Sequence, residues 1–461
     1  MKKISLYTIG LILLASTGCK KYIDVNHDPN DPTDVQEAAI LAPVEVVLST
    51  EIYGGNSAFI VQNFMQTAAI NQPPPQIGTY LEINSDLDGD WSAYYASALI
   101  NLKIMNSKAE ADGKTNYAAV AKILTALTLG NATDLWGDIP YSQAFKGTSN
   151  LTPVFDKQEV IYKDIQSLLD SAIVNINAAS TIVPGSDDYF YSGDMTKWKK
   201  LAYTLKARYY MHLTKAPGYT AATQAQLALT ALANGLASND DDLQFAYPGA
   251  AGQENPWFDN FNPVSTAILA SHFVDTLVSR TDPRLSKMVA PASSTGLYTG
   301  FQIGGNTGDL LSYSLPTAYY MGIGATNYIV SYSESLFLQA EATSIVSGYA
   351  AAQPIYQNAI RAHMSKLSVA DADITTYLGK RGALTAANAV QRIIEEKYVA
   401  NFLNLEIFND WRRTGYPTLV KVPNALSDIP RRLLYPEVEI ISNPQPQETA
   451  KLTDRVWWDA Q

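Results

Sequence analysis

Residues 331–367 read SYSESLFLQAEATSIVSGYAAAQPIYQNAIRAHMSKL, two apolar-striped segments on either side of Gly348. Ala352, Tyr356 and Ala359 place a small residue, an aromatic and a second small residue at i, i+4 and i+7, on one face of a helix. Leu336 and Ala340 pair a large and a small side chain in the same way on the preceding segment. Small residues at contact points let two helices approach closely, and the aromatic then fills the groove between them. The stretch therefore predicts two helices, over about 331–347 and 352–367, folded on each other.

The same period extends outward. Ile161, Ile165, Leu168, Leu169, Ala172, Ile173 and Ile176 form one apolar face, and Trp198, Leu201, Ala202, Leu205 and Tyr209 form another. Further helical patterns run over about 34–52, 91–109, 117–130, 222–236, 265–279 and 386–404, separated by long loops rich in Gly, Pro and aromatics. The A-x3-aromatic-x2-A spacing at 352–359 is that of the second helix of a tetratricopeptide repeat, while Leu169 and Ala172 keep only its last interval. The expected fold is all-α: degenerate tetratricopeptide-like helical hairpins forming a scaffold, with large inserted loops. An irregular bundle is the alternative.

The N-terminus carries different information. Lys2 and Lys3 precede an apolar run from Ile4 to Ala15, and Ser16-Thr17-Gly18-Cys19 follows. The run is too short for a bilayer of about 30 Å and ends in small residues, the pattern of a cleaved secretory signal. Cys19 is the one cysteine of the chain. A lone thiol suits lipidation at the new N-terminus, although Ser16 stands where lipoprotein signals commonly have Leu. The reading is a signal peptide over 1–18, a lipidated Pro/Asn/Asp-rich tether over 19–33, and a single domain over 34–461, with no linker that would divide it. Cleavage before Cys19 removes two lysines and takes the net charge from -11 to -13.

That acidity argues against nucleic acid as a partner. Catalytic motifs are missing: His27, His212, His272 and His363 are far apart and form no H-E-x-x-H zinc motif, and no G-x-S-x-G or phosphate loop appears. No enzyme activity, cofactor or metal is expected. Asp86-x-Asp88-Gly89-Asp90 lacks the ordering and closing Glu of a calcium loop and reads as a solvated acidic turn. Two open alternatives are a glycoside hydrolase, for which two carboxylates suffice, and a helical-repeat scaffold that binds protein alone.

Several motifs stand in one order along the chain: Thr133 to Tyr141 (TDLWGDIPY), Gly193-Asp194-x3-Lys197-Trp198, Leu205-Lys206-x-Arg208, Asp282-Pro283-Arg284-Leu285, Ser331-Tyr332-x-Glu334-x6-Glu341-Ala342, Trp411 to Pro417, and Pro430-Arg431-Arg432-Leu433-x-Tyr435-Pro436. In this the chain resembles the SusD/RagB family of nutrient-binding outer-membrane lipoproteins. The resemblance implies a lipid-anchored protein on the outer face of the outer membrane that captures oligosaccharides or peptides and serves a TonB-dependent transporter of the SusC type. It carries over no binding-site motif residue by residue. Trp136, Gly137, Asp138 and Pro140 are expected to hold a loop, and Arg412, Arg413, Arg431 and Arg432 to pair with carboxylates.

Ligand residues have to be sought in the loops. The chain has 28 Tyr and 7 Trp against 13 Phe, so rings with a polar edge predominate. Such rings can cover the C–H face of a sugar while their O–H or N–H reaches its hydroxyls. Two clusters set such rings beside amides or carboxylates: Gln76 to Tyr95, with Tyr80, Asp86, Trp91 and Tyr94, and Glu254 to Asn262, with Trp257, Asp259 and Asn260. Tyr313, opening the YSLPTAYY run, is a third candidate that could equally belong to a buried strand or hairpin.

Overall fold

The computed structural model describes residues 35–178, 180–262, 266–445 and 449–460. The signal peptide, Cys19 and the tether lie outside the described residues. Helices α1 (Glu37–Val47) and α2 (Asn56–Phe64) lead to α3 (Ile100–Ala111) and α4 (Thr115–Trp136), joined by a three-residue turn. From there neighbours in sequence are neighbours in space. α4 packs on α5 (Gln158–Asn177), α5 on α6 (Met195–His212) and α6 on α7 (Ala221–Leu232). After a long insertion, α7 meets α8 (Tyr332–Ser347), which pairs with α9 (Tyr349–Lys366) and receives α10 (Ala389–Ala400), followed by α11 (Glu406–Thr414). This succession of helical hairpins is the all-α, tetratricopeptide-like scaffold read from the sequence.

The packing follows the small-and-aromatic logic. Ala340, Ala352, Tyr356 and Ala359 are fully buried where α8 meets α9. Gly130 of α4 does the same for Tyr209 of α6: a Cβ at position 130 would stand 2.1 Å from the tyrosine Oη, so only glycine admits the ring. Asp194 and Ser331 start their helices as caps, accepting from Thr196 N at 2.9 Å and Glu334 N at 3.2 Å. One large apolar core reaches from Ile40 to Trp458, and a smaller cluster that includes Ala207, Ala228 and Leu338 fills the contact of α6, α7 and α8.

Strands are short and occur in pairs. The helical pattern expected from 265 is replaced by Ala267–Leu269, which pairs antiparallel with Ala68–Ile70, and the helix begins only at Ser271. The backbone groups of 267–269 find their partners some two hundred residues away, where no local period could reveal them. Leu315–Pro316, inside the YSLPTAYY run, pairs with Val289–Ala290.

The sequence motifs become a charged skeleton inside this core. Arg208 lies bidentate on Glu334 at 2.8 and 2.7 Å. Arg284 joins Asp282 to Glu396. Asp134 accepts from the Tyr162 hydroxyl at 2.5 Å, Trp458 Nε1 at 2.9 Å and Asn409 Nδ2 at 3.1 Å. His212 bridges Tyr162 and Glu406. Burial opposes its charge, but Glu406 and Asp134 outweigh burial and push its pKa up to about 9. Charges kept inside a core serve geometry more than stability, and these tie neighbouring hairpins in one register.

Two of the four expected arginine pairs form and two do not. Arg413 meets Glu341 and Asp410, and Arg431 meets Asp459 at 2.6 Å. Arg412 instead donates to the carbonyls of Asp134 and Arg431 and lies over the rings of Phe408 and Trp458. Arg432 donates to the carbonyls of Leu433 and Trp136 and lies over Tyr435. Main-chain oxygens and ring faces take the place of carboxylates because both side chains thread between loops whose open acceptors are carbonyls.

Candidate functional site

The loop over 71–86 crosses helix α2 and leaves a cleft of about 650 Å³, lined by Asn56, Phe59, Gln72, Ile77, Leu81, Ile83 and Asp86 among others. The loop is shaped from within. Gln76 and Thr79 cap each other's backbone, and Tyr80 takes the left-handed conformation. The side chains of 81–83 then alternate in an inverted sense. Leu81 and Ile83 are 39% and 54% exposed, whereas Glu82 is buried and accepts from Leu434 N at 2.8 Å. Burial, helped by Asp86 and Asp90, raises the Glu82 pKa to about 8 although the Leu434 N–H opposes it.

The two predicted clusters come together on either side of the start of α2. Asp90 accepts from Ser57 N at 2.7 Å, and Asn56 donates to the Asp86 carbonyl at 2.8 Å. From the other side, Asn260 donates to the Gly54 carbonyl at 3.1 Å, and Phe261 meets Phe59 edge to face at 6.3 Å. Asp259 is exposed on the short helix Pro256–Asn260.

The rings of the clusters lie beneath this surface. Tyr80, Trp91, Tyr94 and Trp257 are all buried, from 0% exposure for Tyr94 to 6% for Trp91. Trp91 donates to Glu439 at 3.2 Å, leans on Tyr95 and, with Tyr94, meets Trp136 edge to face at 5.2 Å. In this conformation they support the cleft and leave it no broad ring face. Trp257, with Tyr319, Tyr320 and Tyr328, borders a separate cavity of about 40 Å³, room for a few waters and not for a sugar ring. Tyr313 is half-buried, edge to face with Phe301 at 5.2 Å.

The acidic turn is solvated only in part, with Asp86 exposed, Asp88 half-buried and Asp90 buried. Asp86 accepts from Ile83 N at 3.0 Å, Asp88 from Val438 N at 3.0 Å, and Asp90 is itself buried. Each carboxylate is engaged with main-chain N–H groups, so the stretch fastens the loop. Trp136 is buried with Nε1 donating to the Leu434 carbonyl, Gly137 has φ +81, and Asp138 accepts from Gln158 N. That corner therefore holds a loop as expected. Among the residues lining the cleft Asp86 is the one carboxylate, so the lining offers no pair of the kind glycoside hydrolysis uses.

Phe59, Leu81, Ile83, Asn56 and Gln72 were missed by sequence reasoning. Leu81-Glu82-Ile83 is an alternation, and alternation is ordinarily read with its apolar residues inward. Exposed apolar residues grouped at a cleft mark a contact surface.

The SusD-like family described as "Starch-binding associating with outer membrane" matches residues 29–436. A chitin-binding protein of known structure is 27% identical, with TM-score 0.81 over 92% of this chain and 100% of its own. A SusD/RagB family protein from Bacteroides thetaiotaomicron is 22% identical, with TM-score 0.81 over 92% and 99%. A chitin-binding SusD homologue from Flavobacterium johnsoniae is 21% identical, with TM-score 0.75 over 92% and 97%. No curated protein matches the sequence. The match over most of the chain, with motifs that form its buried charged skeleton, makes this protein a member of the SusD-like family of outer-membrane-associated, carbohydrate-binding proteins.

Proposed function

We propose that the protein is a surface lipoprotein, anchored through Cys19, whose single domain over 34–461 captures an oligosaccharide and passes it to a TonB-dependent transporter of the SusC type. The observation that carries the reading is the cleft at α2, where apolar side chains stand exposed beside amides and a carboxylate on a rigidly fastened loop. Phe59, Ile77, Leu81 and Ile83 supply apolar contact to sugar C–H groups, and Asn56, Gln72 and Asp86 reach hydroxyls. Asp259 and Asn260 extend the surface, Tyr313 belongs to its periphery, and Tyr80, Trp91, Tyr94 and Trp257 act from below by fixing its shape. The chitin-binding relatives make N-acetylated glucans the first ligands to try, with peptides as the other class.

A transporter-contact role has its own support. On the helix Glu437–Ser442, Val438, Ile440 and Ile441 are exposed, Ile441 at 74%. Asp88 and Trp91 hold that helix beside the cleft loop. Calorimetric titration of residues 20–461 with chitin and starch oligosaccharides and mixed peptides, with the ligands checked afterwards for cleavage, tests the function. Binding of one class, intact and weakened by Phe59→Ala, is the expected result. Cleaved glycan, or binding indifferent to Phe59→Ala, would sink it.

A further inference from the structure

Arg432 is 4% exposed and makes no salt bridge among the described residues. Its Nε and Nη2 are used by carbonyls, and Nη1 has no hydrogen-bond partner among the described residues. The side chain borders a cleft of about 350 Å³ whose lining also includes Gly137, Lys157, Arg455 and Trp457 and two carboxylates, Asp138 and Glu159. A Cβ built on Gly137 would stand 3.6 Å from Nη1, so the glycine leaves the guanidinium uncovered. A buried cation without a counter-charge is costly, and an anion delivered to it recovers the interaction.

The surrounding charges point the same way. Lys157 pairs with Asp138 at 2.8 Å and Lys163 with Glu159 at 2.8 Å, while Arg431 and Arg455 share Asp459. In the lining itself Lys157, Arg432 and Arg455 stand against Asp138 and Glu159, one cation in excess, in a chain whose net charge is -11. Trp457 is partly exposed at the same cleft and adds an aromatic surface of the kind a pyranose covers. A neighbouring depression lies between this opening and the first cleft. Tyr435 lines both the opening and the depression, which is about 540 Å³ and contains Asn84, whose amide donates to the Tyr435 carbonyl at 2.6 Å. Asn84 in turn follows Ile83 of the first cleft.

We propose that this cleft binds the negative group, carboxylate or sulfate ester, of an acidic sugar residue, with Arg432 Nη1, Arg455 and Lys157 as its donors. The site is separate from the cleft at α2 and does not require that cleft to be filled.

The test is calorimetry on residues 20–461 with trigalacturonate, its methyl ester and a sulfated chondroitin tetrasaccharide. The expected result is binding of one acidic oligosaccharide, weakened about tenfold by Lys157→Gln with Arg455→Gln at unchanged melting temperature, and unaffected by Phe59→Ala. The uronate preference shows as about tenfold loss on esterification, and the sulfate preference as binding of the chondroitin fragment alone. Equal affinity for trigalacturonate and its ester, no binding of either acidic sugar, or indifference to the double substitution would each overturn the assignment. Loss of acidic-sugar binding on Phe59→Ala would also overturn it, by placing the ligand in the first cleft.

Discussion

Replacing Glu82 by Gln tests whether the cleft loop is held by a carboxyl that is neutral at physiological pH. Glu82 is buried, accepts from Leu434 N through one oxygen, and its other oxygen has no partner among the described residues. Its pKa is raised from 4.5 to about 8. Between those values the folded state holds a proton that the unfolded state has released, so stability falls as pH rises. Each pH unit costs about 1.4 kcal/mol. Over the interval of about 3.5 the ceiling is about 5 kcal/mol, and opening of the loop to water will lower it. Gln keeps an acceptor for Leu434 N and cannot ionise. Any constant penalty for its amide is the same at every pH, so the slope is the observable. Urea denaturation of both proteins at pH 5, 6.5 and 8 should show the wild type losing ground to Glu82→Gln by about 1 kcal/mol or more per unit. Other buried groups titrate equally in both and cancel in the difference. Parallel stability curves would show that Glu82 ionises normally and that its burial does not govern the loop.

Other consequences are as direct. His212, raised to about 9, contributes stability that is complete below about pH 6.5 and is lost as pH climbs through about 9, so His212→Gln should flatten the alkaline decline of the melting temperature. Glu334→Gln leaves Arg208 inside the core with only Glu406 at 3.6 Å, and chemical denaturation should register a loss of about 3–5 kcal/mol. Gly130→Ala drives a methyl into the Tyr209 hydroxyl and ring and should cost about 1–3 kcal/mol by the same measurement, with Tyr209→Phe recovering little because ring carbons at 2.3 and 2.4 Å remain. Phe59→Ala should weaken oligosaccharide affinity about tenfold while shifting the melting temperature little, since the ring is half-buried at the cleft.

The scaffold was legible because its signal is local and redundant. Every apolar position on the face 161–173 that the period selects is buried or half-buried, and the 352–356–359 triplet lands on the helix contact its spacing describes. The candidate site was legible in position but not in detail. Both loop clusters meet at α2, yet aromatic identity could not tell a ring that faces a ligand from one that supports the floor: Trp91 and Trp257 have the same composition around them as a sugar platform and lie inside. Leu81 and Ile83 escaped because their exposure inverts an alternation, and the inversion is set by Leu434, some 350 residues on. The arginines make the same point, since whether a guanidinium meets a carboxylate or a carbonyl depends on which distant loop arrives beside it.

Asp134 is made early, on α4, but its hydrogen-bond partners are Tyr162, Asn409 and Trp458, the last of which sits at the far end of the described chain. Arg431 likewise waits for Asp459. The carboxylate at the centre of the first hairpins therefore has its full set of donors only when the C-terminal segment is in place. The scaffold's hairpins are consecutive in space, yet the bonds that close them join residues far apart in sequence, and a truncation that removes Trp458 and Asp459 should unsettle helices three hundred positions away.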